Sequence, residues 1–461
     1  MGGVLLTHSN HIRSDVKQTA KMQPYPPLQT LLAAAVLREH GIGVALFDPA
    51  LFDPALASPR EGFRDVLCER KPHLVAVCED DFNFLSKMCL GHSRELAFAM
   101  ARLAVESGVD IVAHGHDASD RASAYLQAGF SAVLIGEVEQ TLLELAQGKP
   151  RCDIAGLAYL SDGALRKNAA RAIESDLDAL PLPAWDLVDM ETYRQAWNSA
   201  HGYFSLNMAS SRGCPYRCNW CAKPIHGSSY HARSPQSVAS EMLHLKNTFH
   251  PDRLWFADDI FALSPRWTFE FAEAVERLGA RIPFKMQSRC DLMTRGTVEA
   301  LRRAGATEVW MGAESGSQRI LDAMDKGIRT EDVYEARRNL RRHGIRAGFF
   351  LQFGYPGEAW ADIEQTIRMV RETEPDDIGV SVSYPLPGTR FHQIVGDQMN
   401  LKSNWSDSAD LTMLFRGTFS TDFYRALADA LHIEVRGGRG GAEAWRRVHD
   451  LRETARLAEV A

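Results

Sequence analysis

The sequence predicts an α/β protein in two linked parts: an N-terminal doubly wound parallel sheet over residues 1–150 and a partial (β/α)6 barrel over 204–395. Three observations predict it. Apolar runs alternate with helical stretches five times before residue 150. A second alternation begins at Phe204 and supplies six strand candidates, too few to close an eight-stranded barrel. Between them, residues 151–203 carry no sustained hydrophobic period and are punctuated by Gly163, Pro181 and Pro183, as in a connector.

The elements follow in order. Gly3–Thr7 is a short apolar run, Leu28–Arg38 is helical in composition, and Gly41–Phe47 is a strand stopped by Asp48-Pro49. Glu61–Arg70 suits a helix before the strand His73–Val77. Ser93–Ser107, Asp120–Ala128 and Glu137–Gln147 are helices alternating with the strands Val109–Ala113 and Ala132–Ile135. In the second part the strands are Phe204–Ala209, Arg253–Ala257, Ile282–Gln287, Thr307–Met311, Arg346–Phe353 and Asp377–Ser383. Helices separate them at Pro235–Lys246, Pro265–Leu278, Thr297–Arg303, Gln318–Met324 with Glu331–His343, and Trp360–Arg371. The C-terminal segment, 396–461, is small and mostly helical, with a Gly-rich break at 436–441 before a charged helix, Ala442–Glu459.

Composition narrows the function classes. Among 461 residues, 52 Lys and Arg against 59 Asp and Glu leave a net charge of −7. That balance argues against a protein that coats nucleic acid through phosphate contacts. No apolar run approaches the roughly 18–20 residues of a membrane span. Met1–Lys21 has a polar stretch where a signal peptide would have its apolar core, so a cytoplasmic protein is expected. Of eight cysteines five are scattered and three tightly clustered, and in a reducing compartment such a cluster points to metal or redox chemistry rather than a disulfide framework.

Three of those cysteines are clustered in Ser210-Ser211-Arg212-Gly213-Cys214-Pro215-Tyr216-Arg217-Cys218-Asn219-Trp220-Cys221, just after the first strand of the second part. Three thiolates on one loop can occupy three corners of a [4Fe–4S] cube and leave the fourth iron open to an outside ligand. A structural zinc site with His226 as fourth ligand competes, but no second cysteine pair is present. Inert thiols are the third reading. Cys68, Cys78 and Cys89 are spaced too widely for an obvious second cluster, and Cys290 reads as a buried thiol.

With Trp220 before the third cysteine, this signature resembles that of the radical S-adenosylmethionine (SAM) superfamily, specifically its branch with a cobalamin-binding domain, which includes class B methyltransferases and a magnesium-porphyrin cyclase. The resemblance covers roughly 204–395 and implies an open (β/α)6 barrel. It implies a [4Fe–4S] cluster on Cys214, Cys218 and Cys221 whose free iron binds SAM. Reductive cleavage of SAM would then yield a 5′-deoxyadenosyl radical. It also implies that the other strand ends contact SAM. Asp258 or Asp259 in Trp255-Phe256-Ala257-Asp258-Asp259 would hold its amino group, with helix capping as the bland alternative. Arg289 would face its carboxylate or an adjoining acid, and Glu314 and Ser315 in Gly312-Ala313-Glu314-Ser315-Gly316 its ribose and amino groups. Tyr355 in Gly354-Tyr355-Pro356-Gly357 and Pro385 in Tyr384-Pro385-Leu386-Pro387-Gly388 would complete the rim, although these are also turn sequences.

The N-terminal part is similar to the Rossmann-like cobalamin-binding domain of that branch. The resemblance implies corrinoid contacts from His8, Glu79, His114, Gly115, His116, Gly136 and Glu137. Two departures stand out. Ala113-His114-Gly115-His116-Asp117-Ala118-Ser119 replaces the Gly-Gly-Pro-His-Ala-Thr common in relatives, and no Asp-x-His-x-x-Gly motif supplies an axial histidine. Cobalamin would then bind base-off, or with another group beneath cobalt, His114 and His116 being candidates. A sheet domain that no longer binds corrinoid is the alternative.

The resemblance thus implies C-methylation of an unactivated carbon in a small or lipid-like substrate, with an electron donor such as flavodoxin or ferredoxin as partner. A radical cyclase or oxidative rearrangement enzyme without methyl transfer keeps the same cofactors. A non-enzymatic iron–sulfur module explains the cysteines alone.

Overall fold

Side chains alternate between the faces of a strand, and β1 (Val4–Thr7) shows the consequence: Leu5 enters one apolar cluster while Val4 and Leu6 enter another. The computed structural model describes residues 3–53, 58–223 and 225–460. Its first sheet continues with β2 (Val44–Phe47), β3 (Leu74–Cys78), β4 (Asp110–His114), β5 (Ala132–Leu134), β6 (Leu157–Ser161) and β7 (Ala164–Lys167). The order is β2-β1-β3-β4-β5-β6-β7. The first five strands pair parallel. Helices cover both faces: Leu28–Glu39 and Val138–Ala146 over the Val4 side, Pro59–Arg70 and Gly91–Glu106 over the Leu5 side. The chain reverses direction in the sheet between β1 and β3, and doubly wound sheets bind ligands at such a switch point, beyond the carboxyl ends of the strands.

The connector is not structureless. β6 and β7 form an antiparallel hairpin that extends the first sheet, and Met190–His201 is a helix. The stretch expected as one helix, Asp120–Ala128, is broken at Arg121 between His116–Asp120 and Ala122–Gln127.

The second sheet contains β8 (Ser205–Met208), β11 (Arg253–Phe256), β12 (Phe284–Ser288), β13 (Ala306–Glu314), β14 (Arg346–Phe353) and β15 (Asp377–Val382), all parallel, in the order β15-β14-β13-β12-β11-β8. Among the described residues β8 and β15 do not pair, so the barrel is open. β9 (Ser211–Arg212) and β10 (His231–Ala232) form a separate two-stranded piece that brackets the cysteine loop. No described helix is long and apolar enough to cross a membrane.

One apolar core runs through the barrel and across the seam, where Leu28, Leu31, Phe82, Met88 and Leu90 of the first part join it. Polar bonds reinforce the seam: Trp197 Nε1 donates to Pro24 O (2.6 Å) and Asn207 Nδ2 to Pro26 O (3.0 Å). The segment after the barrel crosses it again, Gly91 N donating to Trp405 O and Ser408 N to Asp15. Between the barrel strands and the covering helix Pro265–Leu278, Phe271 is fully buried and sits edge-on to Phe256 at a centroid distance of 5.9 Å, an arrangement aromatic rings favour. Phe271→Ala is expected to lower the unfolding free energy by about 3–5 kcal/mol through the cavity it leaves. Urea titration checks this; a loss under about 1 kcal/mol would show that the barrel wall collapses into the space.

Candidate active site at the domain seam

The cysteine loop is rooted by one carboxylate. Asp258, at the end of β11, is fully buried and accepts from Ser210 N (3.1 Å), Ser210 Oγ (2.7 Å) and Ser211 Oγ. Burial pushes its carboxyl up to about 6 despite those donors. Its neighbour Asp259 turns the other way and pairs with Lys87 of the first part. The two acids therefore divide: Asp258 fixes the loop, and Asp259 faces the seam. The Lys87–Asp259 side chains keep 23% and 30% of their surface, so solvent screens the pair.

Next comes Gly213, with φ +78°, where a Cβ would stand 2.3 Å from Ser229 O. Only glycine fits there. The loop is then folded over Lys223, whose Nζ donates to Cys214 O (2.7 Å) and Tyr216 O. Asn219 pins it to the barrel rim, donating from N to Met324 O (3.0 Å) and from Nδ2 to Ala323 O (2.7 Å). Tyr355 Oη, between Asn219 Oδ1 (3.2 Å) and Ala323 O (2.8 Å), closes that bracket. Arg289 stacks over the Tyr216 ring at 3.6 Å, and pairs with Asp291. Trp220 packs on the barrel core with its Nε1 buried and unpartnered.

Cys214, Cys218 and Cys221 are all free and half-buried. Burial pushes Cys214 up and Cys221 up to about 12. Among the described residues no three His, Cys, Asp or Glu side chains converge on a metal-sized point. The donor chemistry nevertheless suits a cluster. Three soft thiols lie on one anchored loop, and bound iron stabilises the thiolates that burial alone disfavours. Cys78 and Cys89 are buried and Cys68 is exposed, so these three build no second site.

Around the loop, the strand ends present few free groups. Glu314, with φ +57°, forms a buried pair with Lys326 (2.7 Å). Ser315 is fully buried and turned inward, bonded to Ser317 N (3.1 Å) and 3.2 Å from Thr366 Oγ1. Pro385 is buried beside Tyr384, whose ring stacks on Trp405 at 4.5 Å.

Glu358, in the turn after β14, is fully buried, accepts from Gly354 N (2.6 Å) and leaves its other oxygen unpartnered. Burial raises it from 4.5 to about 8. The folded chain therefore keeps a proton that the unfolded chain releases above about 4.5. The resulting stability is fully present below that value and is lost as pH rises through about 8. Glu358→Gln is expected to flatten this part of the profile by a few kcal/mol at most, each pKa unit being worth about 1.4 kcal/mol. Denaturant unfolding at pH 5 and pH 8.5 compares the two chains; parallel profiles would refute the assignment.

Facing the cysteine loop is the carboxyl edge of the first sheet. His8 Nε2 lies 3.0 Å from Asp48, which also accepts from Tyr193 Oη. Glu79 accepts from Ser9 N (3.0 Å) and Oγ (2.6 Å). Gly115, φ +131°, lies so close that a Cβ would stand 2.7 Å from the Glu79 Cβ. Gly136 O accepts from His114 Nε2 (2.9 Å). Asp81 lies between His114 and His116, 3.4 and 3.3 Å away. Burial pushes Asp81 up, but the His114, His116 and His226 rings outweigh it and take the carboxyl to about 2. Glu137 bridges the seam to Arg212 (2.8 Å) and His226 (3.5 Å), and Arg212 also pairs with Glu139.

Among the described residues, buried atoms without a hydrogen bond gather here: His114 Nδ1, His226 Nε2 and Gln29 Oε1, together with both Asp81 oxygens, His116 Nδ1 and His226 Nδ1, which keep only the longer ionic contacts just given. Each such group costs about 1–3 kcal/mol when left unsatisfied. Their concentration at a ligand-binding sheet edge fits a large polar-rimmed group such as a corrinoid. Sequence reasoning missed Arg212, Lys326 and Lys87 as site residues, and it considered His226 only as a zinc ligand. None carries a local signal, since their partners lie 75, 12 and 172 positions away for Arg212–Glu137, Lys326–Glu314 and Lys87–Asp259.

A family model described as the radical SAM superfamily matches residues 208–370. An uncharacterized methyltransferase of Pyrococcus horikoshii is 28% identical over 59% of this chain and 60% of its own length. An anaerobic magnesium-protoporphyrin IX monomethyl ester cyclase of Cereibacter sphaeroides is 26% identical over 58% of this chain and 45% of its own. The chain thus spans about half the length of these curated relatives. Among solved structures, the radical SAM methyltransferase TsrM from Kitasatospora setae, with cobalamin and a [4Fe–4S] cluster bound, superposes with a TM-score of 0.69 at 19% identity, over 86% of this chain and 75% of that one. The cobalamin-dependent radical SAM enzyme OxsB, with aqua-cobalamin and SAM bound, gives 0.66 at 19% identity, over 86% and 55%. The two-part fold is shared with both.

Proposed function

We propose that this chain, whose residues 208–370 are a radical SAM domain, is a cobalamin-dependent radical SAM methyltransferase acting on a carbon of a small or lipid-like substrate. The observation that carries the reading is the facing arrangement. A three-thiol loop at the barrel's strand ends stands opposite the unsatisfied polar edge of a doubly wound sheet, with Lys87–Asp259 and Arg212–Glu137 crossing between them. A [4Fe–4S] cluster with SAM would supply one-electron cleavage chemistry on the three cysteines, and a corrinoid at the sheet edge would supply the methyl group.

The chain's own residues do the positioning. Asp258 and Asn219 fix the two ends of the thiol loop, Lys223 folds its middle, and Arg289 caps Tyr216 on its outer side. The Glu314–Lys326 pair presents charge beside that loop, where the amino and carboxylate groups of SAM need partners of both signs. Phe82, Met88 and Leu90 pack into the core that joins the two parts, which keeps water out of the seam. An external one-electron donor, of flavodoxin or ferredoxin type, would serve the loop.

The test uses anaerobically reconstituted protein, SAM with a labelled methyl group and a strong reductant. Release of 5′-deoxyadenosine together with label in a product supports the reading. 5′-Deoxyadenosine without transferred label would favour cyclase-like chemistry, and a formed cluster with neither would favour a binding module.

A further inference from the structure

The inner face of the second sheet is not filled as the core of a closed barrel is. Phe256 and Phe284 pack on Phe271 of the covering helix, so the residues alternating with them turn the other way, toward the barrel axis. On that inner face the register sets Trp255 beside Lys285, and Phe350 beside Gly312 and Gly379. Trp310 lies against Phe350 at a centroid distance of 5.0 Å. Phe350 is in the middle of a strand paired on both sides, yet it keeps 37% of its surface, whereas Phe349 and Leu351 are buried. Glycine makes the space. A Cβ at Gly348 would stand 2.4 Å from the Trp310 ring, and one at Gly379 would stand 3.2 Å from the Phe350 ring. The result is an aromatic trough open to solvent.

The amino end of this trough is basic. Lys285, the second residue of β12, has its Nζ 5.3 and 5.5 Å from the centroids of the Tyr25 and Trp255 rings. Tyr25 reaches in from the first part and packs on Trp255 at 4.7 Å. Lys21 senses Lys17, Arg436 and Lys285 as like charges and Asp377 as an opposite one. The acids that Lys285 and Lys21 sense are engaged elsewhere: Glu308 with Trp310 Nε1 (2.6 Å) and Arg346 (3.6 Å), Asp377 with Arg436 (3.0 Å). An apolar wall with uncompensated ammonium groups at one end complements an apolar body that carries one anionic head.

We propose that this trough binds a small amphiphilic anion, its carboxylate or phosphate head held by Lys285 and Lys21 and its apolar body lying along Trp310 and Phe350. As a substrate site it rests on the methyltransferase reading above and names the substrate class. Three residues, about 10 Å of strand, separate Lys285 from the carboxyl end of β12 at Ser288. The carbon brought to the rim that carries the thiol loop is therefore remote from the head group.

The experiment reads binding rather than turnover. The full chain is titrated by calorimetry without SAM or reductant. Octyl phosphate and octanoate are expected to bind, octanol about tenfold more weakly and octylammonium not at all. The tighter of the two anions identifies the head. Lys285→Met should remove the advantage of both anions over octanol, and Lys285→Arg should keep it. Lys21→Met, at an exposed position, should weaken the anions and leave octanol unchanged. Phe350→Ala should weaken octyl phosphate and octanol alike. An anion advantage that survives both Lys285→Met and Lys21→Met overturns the proposal, as does equal binding of all four compounds or no binding of either anion. Inorganic phosphate binding as tightly as octyl phosphate overturns the apolar half of it. None of these results touches the methyltransferase reading, which label transfer decides, and a failure of label transfer leaves the binding site standing.

Discussion

Cys218→Ala protein, reconstituted with iron and sulfide without oxygen, is expected to release 5′-deoxyadenosine from SAM only at the level of the iron-free chain. The reason is ligand count. A cube held at three corners has no spare protein ligand, and the loop offers no fourth thiol. The other described cysteines lie elsewhere in the fold, and no group of three metal-binding side chains forms among the described residues. Cys214→Ala and Cys221→Ala should behave alike. Cys68→Ser and Cys152→Ser, at exposed sites outside the seam, should keep wild-type iron content. Iron and sulfide analysis beside the nucleoside assay separates loss of the cluster from loss of fold. A Cys218→Ala chain that still cleaves SAM at the wild-type rate would remove the basis of the functional reading.

Arg212→Ala should be the most damaging change apart from those at the three cysteines. Arg212 is 4% exposed and lies between Glu137 and Glu139, which are 6% and 5% exposed. Burial opposes its charge, and the two carboxylates more than offset this and raise its pKa. Glu137 is likewise held down to about 2: burial works against this, and His226 and Arg212 prevail. Removing one member of a buried ionic set strands the others, at a cost of about 3–5 kcal/mol. Denaturant unfolding at neutral pH should show that loss. A variant with Arg212→Met, Glu137→Gln and Glu139→Gln should recover most of it, because no charge is then left unpaired. If the single and triple variants were equally unstable, the seam would depend on shape rather than charge.

The fold was legible where burial imposes a period. The six barrel strands are read correctly because each carries an apolar run between helical stretches, and Leu5 against Val4 and Leu6 shows the same rule in the first sheet. The β6–β7 hairpin was not legible: Ala164–Lys167 is exposed throughout, so no alternation marks it. Met190–His201 buries only Tyr193 and Trp197, too little to announce a helix. The thiol loop was legible because its spacing is local. The division of labour between Asp258 and Asp259 was not, because Lys87 arrives from 172 positions away. Ser315 shows what a motif leaves unread: its hydroxyl lies 3.2 Å from Thr366 Oγ1, a partner 51 positions away, and accepts from Ser317 N.

The apolar core that passes from the barrel into Leu28, Leu31, Phe82, Met88 and Leu90 leaves neither half with a finished surface of its own. Cutting the polypeptide between the halves would lay bare greasy patches on both fragments, which then favour clumping over independent refolding. Calorimetry on the intact chain should accordingly record one joint melting event, with neither half surviving the other.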